Sequence, residues 1–461
     1  MKNKNTITRR GFLGTAALSV WAGQNALAAA RIKRPNVLLI ITDQQVFTAM
    51  SCTGNKYLNT PAVDSLAAEG TRFAQAYTTQ PLCLPHRSSI QTGRYPHEIG
   101  TVNNGIKKMT GRFPMLGELA EQAGYECQYV GKWHVAASPK EVGYPQSVTS
   151  GKDYQKAETA VEFLLNSHDK PFFLTASFLN PHNVCQLARG QELPEGPIGE
   201  PPTDLDKLPP LPPNFAIPPN EPSAIREVQE MSRDYHYPTK DWDELKWRQY
   251  LWGYYRLVEK VDAEISKVLK ALNYSGLDRD TVVIFVSDHG EGVAMHHWNQ
   301  KQILYDEATH VPMIIAWKGV TRPKVCDELV SVGLDLPVTI LDFMGADKPA
   351  SMKGLSLKPI VMGRRKTLPR DHVFAETMFA RGAKSFGVTG RMVRTKRYKY
   401  CIYNKGENRE QLFDMNVDPG ETVNLAVDAK YRDELNRHRK LITDWAAETN
   451  DSEFPYILPN S

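Results

Sequence analysis

Four apolar runs in this chain lead directly into side chains that can bind metals, move protons or carry positive charge. Asn36–Thr42 runs into Asp43, and Val282–Ser287 into Asp288-His289. Phe172–Phe178 is followed by Asn180-Pro181-His182, and the shorter Cys127–Val130 by Gly131-Lys132-Trp133-His134. Asp43 and Asp288 are hard oxygen ligands, suited to Ca2+ or Mg2+ rather than to a thiolate-binding metal. Lys132, His134, His182, Arg87 and Lys301 would surround such an ion with positive charge and hydrogen-bond donors. A divalent cation among cationic donors suits a tetrahedral oxyanion, sulfate and phosphate alike.

The elements that must position these residues follow from the same runs. Unbroken apolar stretches such as Asn36–Thr42, Phe172–Phe178, Val282–Ser287 and Val311–Trp317 suit strands covered on both faces. Between Asp241 and Leu272, the positions Leu251, Tyr255, Val258, Val261, Ile265, Val268, Leu269 and Leu272 fall at helical spacing, which predicts a long amphipathic helix. Helices between buried strands imply an α/β fold. In open α/β sheets the ligand site lies beyond the carboxyl ends of the strands, so four ends delivering Asp, His and Lys should converge on one crevice.

Two stretches break the pattern. Pro194 to Pro222 is crowded with prolines and predicts an extended surface excursion. After about residue 370, Met392–Tyr403 reads as exposed strands with alternating charge, followed by a terminal helix over Tyr431–Thr449. Residues 371–461 are therefore expected to form a smaller C-terminal subdomain with an antiparallel sheet, after a main domain over 31–370.

Residues 1–30 are set apart as a targeting peptide. Thr8-Arg9-Arg10-Gly11-Phe12-Leu13, an apolar stretch to Gly23 and Ala26-Leu27-Ala28 resemble a twin-arginine export signal; an ordinary secretory signal or a short membrane anchor are the alternatives. The expected location is periplasmic or secreted, with no membrane span in the mature protein. Lys2, Lys4, Arg9 and Arg10 account for the whole formal net charge of +4, since no acid precedes residue 31. The remaining chain is near neutral, which argues against a nucleic-acid partner. Six cysteines without a CxxC pair are too sparse for a disulfide scaffold, so most should be buried thiols.

Cys83-Leu84-Pro85-His86-Arg87-Ser88-Ser89-Ile90-Gln91-Thr92-Gly93-Arg94 resembles the signature of the type I sulfatases, Cys-x-Pro-Ser-Arg continuing to Thr-Gly-Arg. Further blocks are similar in the same order: Asn36–Asp43, Gly131–His134, Pro171–His182, Ser287-Asp288-His289-Gly290-Glu291, Lys301 with Val311-Pro312, and Gln411–Asp414 through Asn424-Leu425. The resemblance spans essentially the whole mature chain. It implies an alkaline-phosphatase-like fold, a large mixed and mostly parallel sheet flanked by helices. It also implies that a maturation enzyme converts Cys83 to formylglycine, and that Asp43, Gln44, Cys83, Asp288 and His289 hold Ca2+, with Mg2+ the alternative.

The implied reaction is sulfate-ester hydrolysis. One hydroxyl of the formylglycine hydrate attacks sulfur, and loss of the proton from the other then expels sulfate. By the same resemblance Arg87, Lys132 and His134 hold the hydrate, while His182 and Lys301 contact sulfate and protonate the leaving oxygen. Three positions depart from the usual family pattern. Asp43-Gln44 replaces Asp-Asp, Asp288-His289 replaces Asp-Asn, and His86 replaces serine. Phosphonate monoester or phosphodiester hydrolases and choline sulfatases of the superfamily share the first two. The expected substrate is a sulfated oligo- or polysaccharide, with those chemistries, and a sugar-binding pseudoenzyme, as alternatives.

Overall fold

The computed structural model describes residues 34–454, so the targeting peptide lies outside the described residues. The main sheet contains β1 (Asn36–Asp43), β2 (Thr71–Tyr77), β3 (Glu126–Gly131), β4 (Gln146–Val148), β5 (Phe172–Pro181), β6 (Thr281–Ser287), β7 (Met313–Trp317) and β8 (Lys324–Ser331). Their spatial order is β4-β3-β5-β1-β6-β7-β2-β8. All neighbouring pairs are parallel except those of β7, which runs against both β6 and β2. This is the mixed, mostly parallel sheet expected from the resemblance.

The unbroken apolar runs have the predicted cause. In β1, Val37, Leu39 and Ile41 face a core that includes Leu336 and Ile340, from a helix over Val332–Met344. Leu38 and Ile40 face the opposite core, with Val261, Ile265 and Val268 of the helix over Glu244–Tyr274. Both sides of the strand are covered, so no polar alternation survives. Six principal helices are α1 (Pro61–Glu69), α2 (Cys83–Thr92), α3 (Asp153–Leu165), α4 (Glu244–Tyr274), α5 (Val332–Met344) and α6 (Arg432–Thr449).

Register explains how the chemistry is assembled. Thr42 pairs with Ser287, Asp43 with Pro181, and Gly131 with Ser177. The carboxyl ends of β1, β3, β5 and β6 are thus level, and the residues just beyond them share one edge. Gly131 adopts φ +102°, and a Cβ there would fall 1.8 Å from Ser177 O. Only glycine lets the chain turn here and swing Lys132 over the sheet end.

The proline-rich segment has no helix or strand beyond the turn Leu205–Lys207. Its carbonyls accept hydrogen bonds from α4: Arg248 donates to the oxygens of Leu205, Leu208 and Pro209, Gln249 to Pro202, and Lys260 to Glu195 and Gly196. Proline removes donors but leaves acceptors, and cationic helix side chains satisfy them.

The second sheet contains β9 (His372–Arg381), β10 (Lys384–Thr395), β11 (Tyr398–Tyr403) and β12 (Glu410–Asp414), antiparallel in the order β12-β11-β10-β9. The expectation that Met392–Tyr403 is exposed is overturned for the strands and holds only at the turn, Lys396 and Arg397. One face packs under α6 through Val393, Tyr400, Leu435, Ile442 and Trp445. The other packs on Trp298, Leu304 and Tyr305 of the main unit. Arg394 and Lys399 are buried; Lys399 Nζ lies 2.8 Å from Asp306 and 2.7 Å from Glu421. Lys399 thus sits in a buried ion-pair cluster, and Arg394 Nε donates to Tyr77 Oη at 3.0 Å. All six cysteines are free, and all but the half-buried Cys52 are buried. Among the described residues no helix is long and apolar enough to cross a membrane.

Candidate active site

Cys83 opens α2 and is fully buried, at the helix end where aligned peptide dipoles favour negative charge. The predicted residues surround it. Lys301 Nζ lies 3.3 Å from its Sγ, and His289 Nε2 lies 3.1 Å away. Lys132 and the side chains of His134 and His182 also act on the thiol. Burial pushes the Cys83 thiol up, but Lys132, Lys301 and His289 outweigh it and hold the group well below its ordinary value. The site is therefore built to stabilise negative charge at residue 83.

Arg87, one turn along α2, organises the carboxylates. Its Nε donates to Asp288 Oδ2 at 2.7 Å and its Nη2 to Asp43 Oδ2 at 3.2 Å. Its Nη1 donates to Lys132 O and Ser177 Oγ, both at 2.8 Å. Lys132 pairs with the same Oδ2 of Asp43. The Oδ1 atoms face the other way. Asp43 Oδ1 lies 3.8 Å from Cys83 Sγ, and Asp288 Oδ1 lies 3.6 Å from His289 Nε2.

This division creates a cation pocket. Asp43, Cys83, Asp288 and His289 each present a ligand atom, all within 4.8 Å of one another. His289 Nδ1 is 2.9 Å from Gly290 O; donating there, a neutral ring would turn its Nε2 lone pair to the cluster when a cation displaces the proton. Burial, and then the like charge of Asp43, push Asp288 up; a divalent cation would relieve that repulsion. Burial and Cys83 act upward on Asp43 too, but Lys132, His182 and Arg87 hold it well below the carboxylate range. The two carboxylate oxygens suit a hard divalent cation, whereas the His289 nitrogen and the Cys83 sulfur are softer donors. Gln44 borders it at φ +72°, with Oε1 accepting from Lys301 Nζ at 2.7 Å.

The remaining donors line the same crevice. Burial and then Lys301 and Lys132 push His182 down to about 4. His134, at φ +46°, has a buried Nδ1 without a partner. Lys301 is carried by a loop in which Val293, Ala294, His296, His297, Gln300 and Gln302 all have positive φ. Such strain persists only where surrounding contacts over-determine it. Every residue singled out from sequence reaches this one region.

Several participants escaped sequence reasoning. Ser177 and Tyr129 hold the Lys132 carbonyl, Tyr129 at 2.7 Å. Glu291 and Tyr250 support Gln44 from behind. Ser177 was signalled only as a polar residue inside an apolar strand. Tyr250 lies on a helix whose periodicity pointed only to packing.

Comparison with known proteins agrees with this geometry. The Sulfatase family model matches residues 35–159 and 136–346, and the model for the N-sulphoglucosamine sulphohydrolase C-terminal region matches 294–447. A Delta 4,5-hexuronate-2-O-sulfatase of Bacteroides thetaiotaomicron is 32% identical over 453 residues, covering 92% of this chain and 91% of that protein. This chain belongs to the sulfatase family. It is a sulfuric ester hydrolase. A solved 2-O GAG sulfatase superposes on this sulfatase with a TM-score of 0.80 at 30% identity, covering 93% of this chain and 95% of that one. The phosphonate monoester hydrolase of Agrobacterium radiobacter gives 0.74 at 23% identity, covering 90% of this chain and 96% of that one, a likeness of fold.

Proposed function

We propose that this sulfatase removes sulfate from anionic, sulfated carbohydrate outside the cytoplasm, with residue 83 as a formylglycine nucleophile. The observation that carries the reading is the convergence of Lys132, Lys301, His289, His134 and His182 on one buried cysteine at a helix N-terminus. Oxidised and hydrated, residue 83 would supply one hydroxyl to displace the sugar oxygen from sulfur and a second whose deprotonation expels sulfate. Asp43, Gln44, Asp288 and His289 would hold Ca2+ with it, and that ion would supply Lewis-acid polarisation.

The chain's own residues do the rest. Arg87 fixes both carboxylates by their outer oxygens, so their inner oxygens stay aimed at the cation pocket. Lys132 and Lys301 offset charge at residue 83, and His134 helps to orient it. Burial, and then Lys301 and Lys132, keep His182 neutral. An arriving sulfate offsets those charges and raises its proton affinity. That suits His182, with Lys301, to pass a proton to the departing oxygen.

The crevice mouth supports an anionic sugar. His236 Nε2 lies 3.4 Å from the Gln302 amide nitrogen, next to Lys301. Burial, then Lys301, Arg189 and Arg381, push His236 down to about 3. Arg381 stacks over the Tyr235 ring at the end of β9. A mouth with this excess of positive charge suits a carboxylate or second sulfate beside the scissile one. The hexuronate named for the 32% identical relative carries such a carboxylate.

A panel of defined sulfated saccharides, run beside aryl sulfate, aryl phosphonate and phosphodiester, tests this reading. Turnover of sulfated uronate-containing sugars is expected. A large preference for the phosphorus esters would sink it.

A further inference from the structure

Behind the crevice, Glu291 is completely buried and touches none of the atoms assigned to chemistry. Its Oε1 accepts from Tyr250 Oη and, at 2.6 Å, from the Gln300 backbone N–H. Its Oε2 accepts from the Gln44 side-chain amide. Gln44 thereby has its NH2 turned back and its Oε1 turned forward, onto Lys301 Nζ at 2.7 Å. Tyr254 Oη holds the Gln44 carbonyl at 2.8 Å. Lys301 reaches Cys83 Sγ at 3.3 Å.

An amide has two ends of similar shape and opposite polarity. Lys301 in front has only donors and favours the Gln44 oxygen, but a mobile lysine can turn away from the amide as readily as turn it. A carboxylate behind it accepts only, so it permits one orientation. The same carboxylate clamps Gln300, whose left-handed backbone immediately precedes Lys301. One buried group therefore sets both the acceptor for the lysine and the loop that delivers it.

We propose that Glu291, braced by Tyr250, is the positioning residue that fixes the Gln44 amide and thereby aims Lys301 at residue 83. This rests on the assignment of Lys301 to the reaction. Glu291 acts through Gln44 and Lys301 and does not touch substrate. It also accounts for the glutamine at a position where the family usually has aspartate. An aspartate has no donor end to turn away, whereas a glutamine needs an acceptor behind it.

The test uses full-length, formylglycine-bearing enzyme and 4-nitrophenyl sulfate. Glu291→Gln is expected to lower kcat by about 10–100-fold with KM little changed, as loss of an orienting partner does. Adding Gln44→Glu to Glu291→Gln exchanges donor and acceptor between the two positions and restores an oxygen to Lys301. The double variant should recover most of the lost kcat, which general damage to packing would not allow. Wild-type kcat in Glu291→Gln, or a double variant no faster than the single, overturns the proposal. If Glu291→Gln lacks a cooperative melting transition, Tyr250→Phe decides. It removes one hydroxyl, and an unchanged kcat overturns the link. Lys301→Ala, run alongside, separates the two readings. Activity surviving there removes Lys301 from the reaction, and the link with it. Loss there with normal kcat in Glu291→Gln overturns the link alone.

Discussion

His289 Nε2 lies 3.1 Å from Cys83 Sγ, while its Nδ1 is held by Gly290 O. The imidazole is thus held next to two carboxylates whose inner oxygens Arg87 does not bind, although Asp288 Oδ1 also accepts from the backbone N–H groups of Gln44 and His289. Removing divalent cations with a chelator should abolish turnover, and Ca2+ should restore it. His289→Ala should raise the Ca2+ concentration needed for half-restoration by about 10–100-fold. Calorimetric titration of chelated enzyme measures this directly; unchanged affinity would remove His289 from the ligand set.

Cys83→Ala should abolish turnover with the melting temperature retained, because the side chain is small and its loss leaves Arg87 and its two carboxylate pairs intact. Cys83→Ser should be nearly as inactive, since a single hydroxyl permits attack but not elimination. Peptide mass spectrometry should find residue 83 about 18 Da lighter than cysteine, the change from CH2SH to CHO. Full activity in either variant refutes the nucleophile assignment.

The crevice was legible in the sequence because apolar strands end where reactive side chains begin. Asp43 closes β1, Lys132, His182 and Asp288 stand just past their strands, and parallel pairing leaves those ends level. What was not legible depends on packing between distant segments. Tyr250 reaches Glu291 across 41 positions of chain, and nothing in a helical period says which tyrosine faces a carboxylate. Lys399 looked like a solvated charge until the second sheet was seen packed against the main unit, with Asp306 and Glu421 waiting on the covered side.

The mouth predicts a substrate-dependent effect. Arg381→Ala and Arg189→Ala should each raise KM for a sulfated uronate-containing sugar by about 10-fold, the value of one charge-assisted contact. Neither should alter kcat/KM for 4-nitrophenyl sulfate by more than about 2-fold, because that substrate has no second anion to lose. Equal losses on both substrates would move these arginines from recognition to general structure.

A pH effect on stability follows from His296. Burial acts downward, but Glu307 and then Glu421 and Glu221 outweigh it and push this histidine up to about 8. Its Nδ1 lies 2.6 Å from Glu307 Oε1, its Nε2 3.0 Å from Gly420 O, and Arg226 holds its carbonyl at 2.7 Å. A folded-state value above the unfolded one gives stability that is complete below about pH 6.5 and lost as pH rises through about 8, roughly 2 kcal/mol in all. Glu421, pushed up to about 7 by burial against the pull of Lys399, acts in the same direction. Melting temperature should therefore fall between pH 6 and 9, and Glu307→Gln should flatten that fall. An equal slope in the variant would show that another group carries it.

The last prediction concerns the order of maturation. Cys83 is fully buried in the folded chain, whereas a maturation enzyme that reads the linear Cys-x-Pro-x-Arg motif should need it extended and accessible. A twin-arginine route carries folded proteins, and Arg9-Arg10 are the residues that point to it. We propose on that basis that oxidation comes first, folding around residue 83 second, and export last. Replacing both Arg9 and Arg10 with Lys should strand active, formylglycine-bearing enzyme in the cytoplasm. Peptide mass spectrometry of the cytoplasmic and periplasmic fractions reads the outcome. Unmodified Cys83 in the trapped protein would place oxidation after translocation and reverse the order. An undiminished periplasmic yield would show that the arginine pair does not direct export.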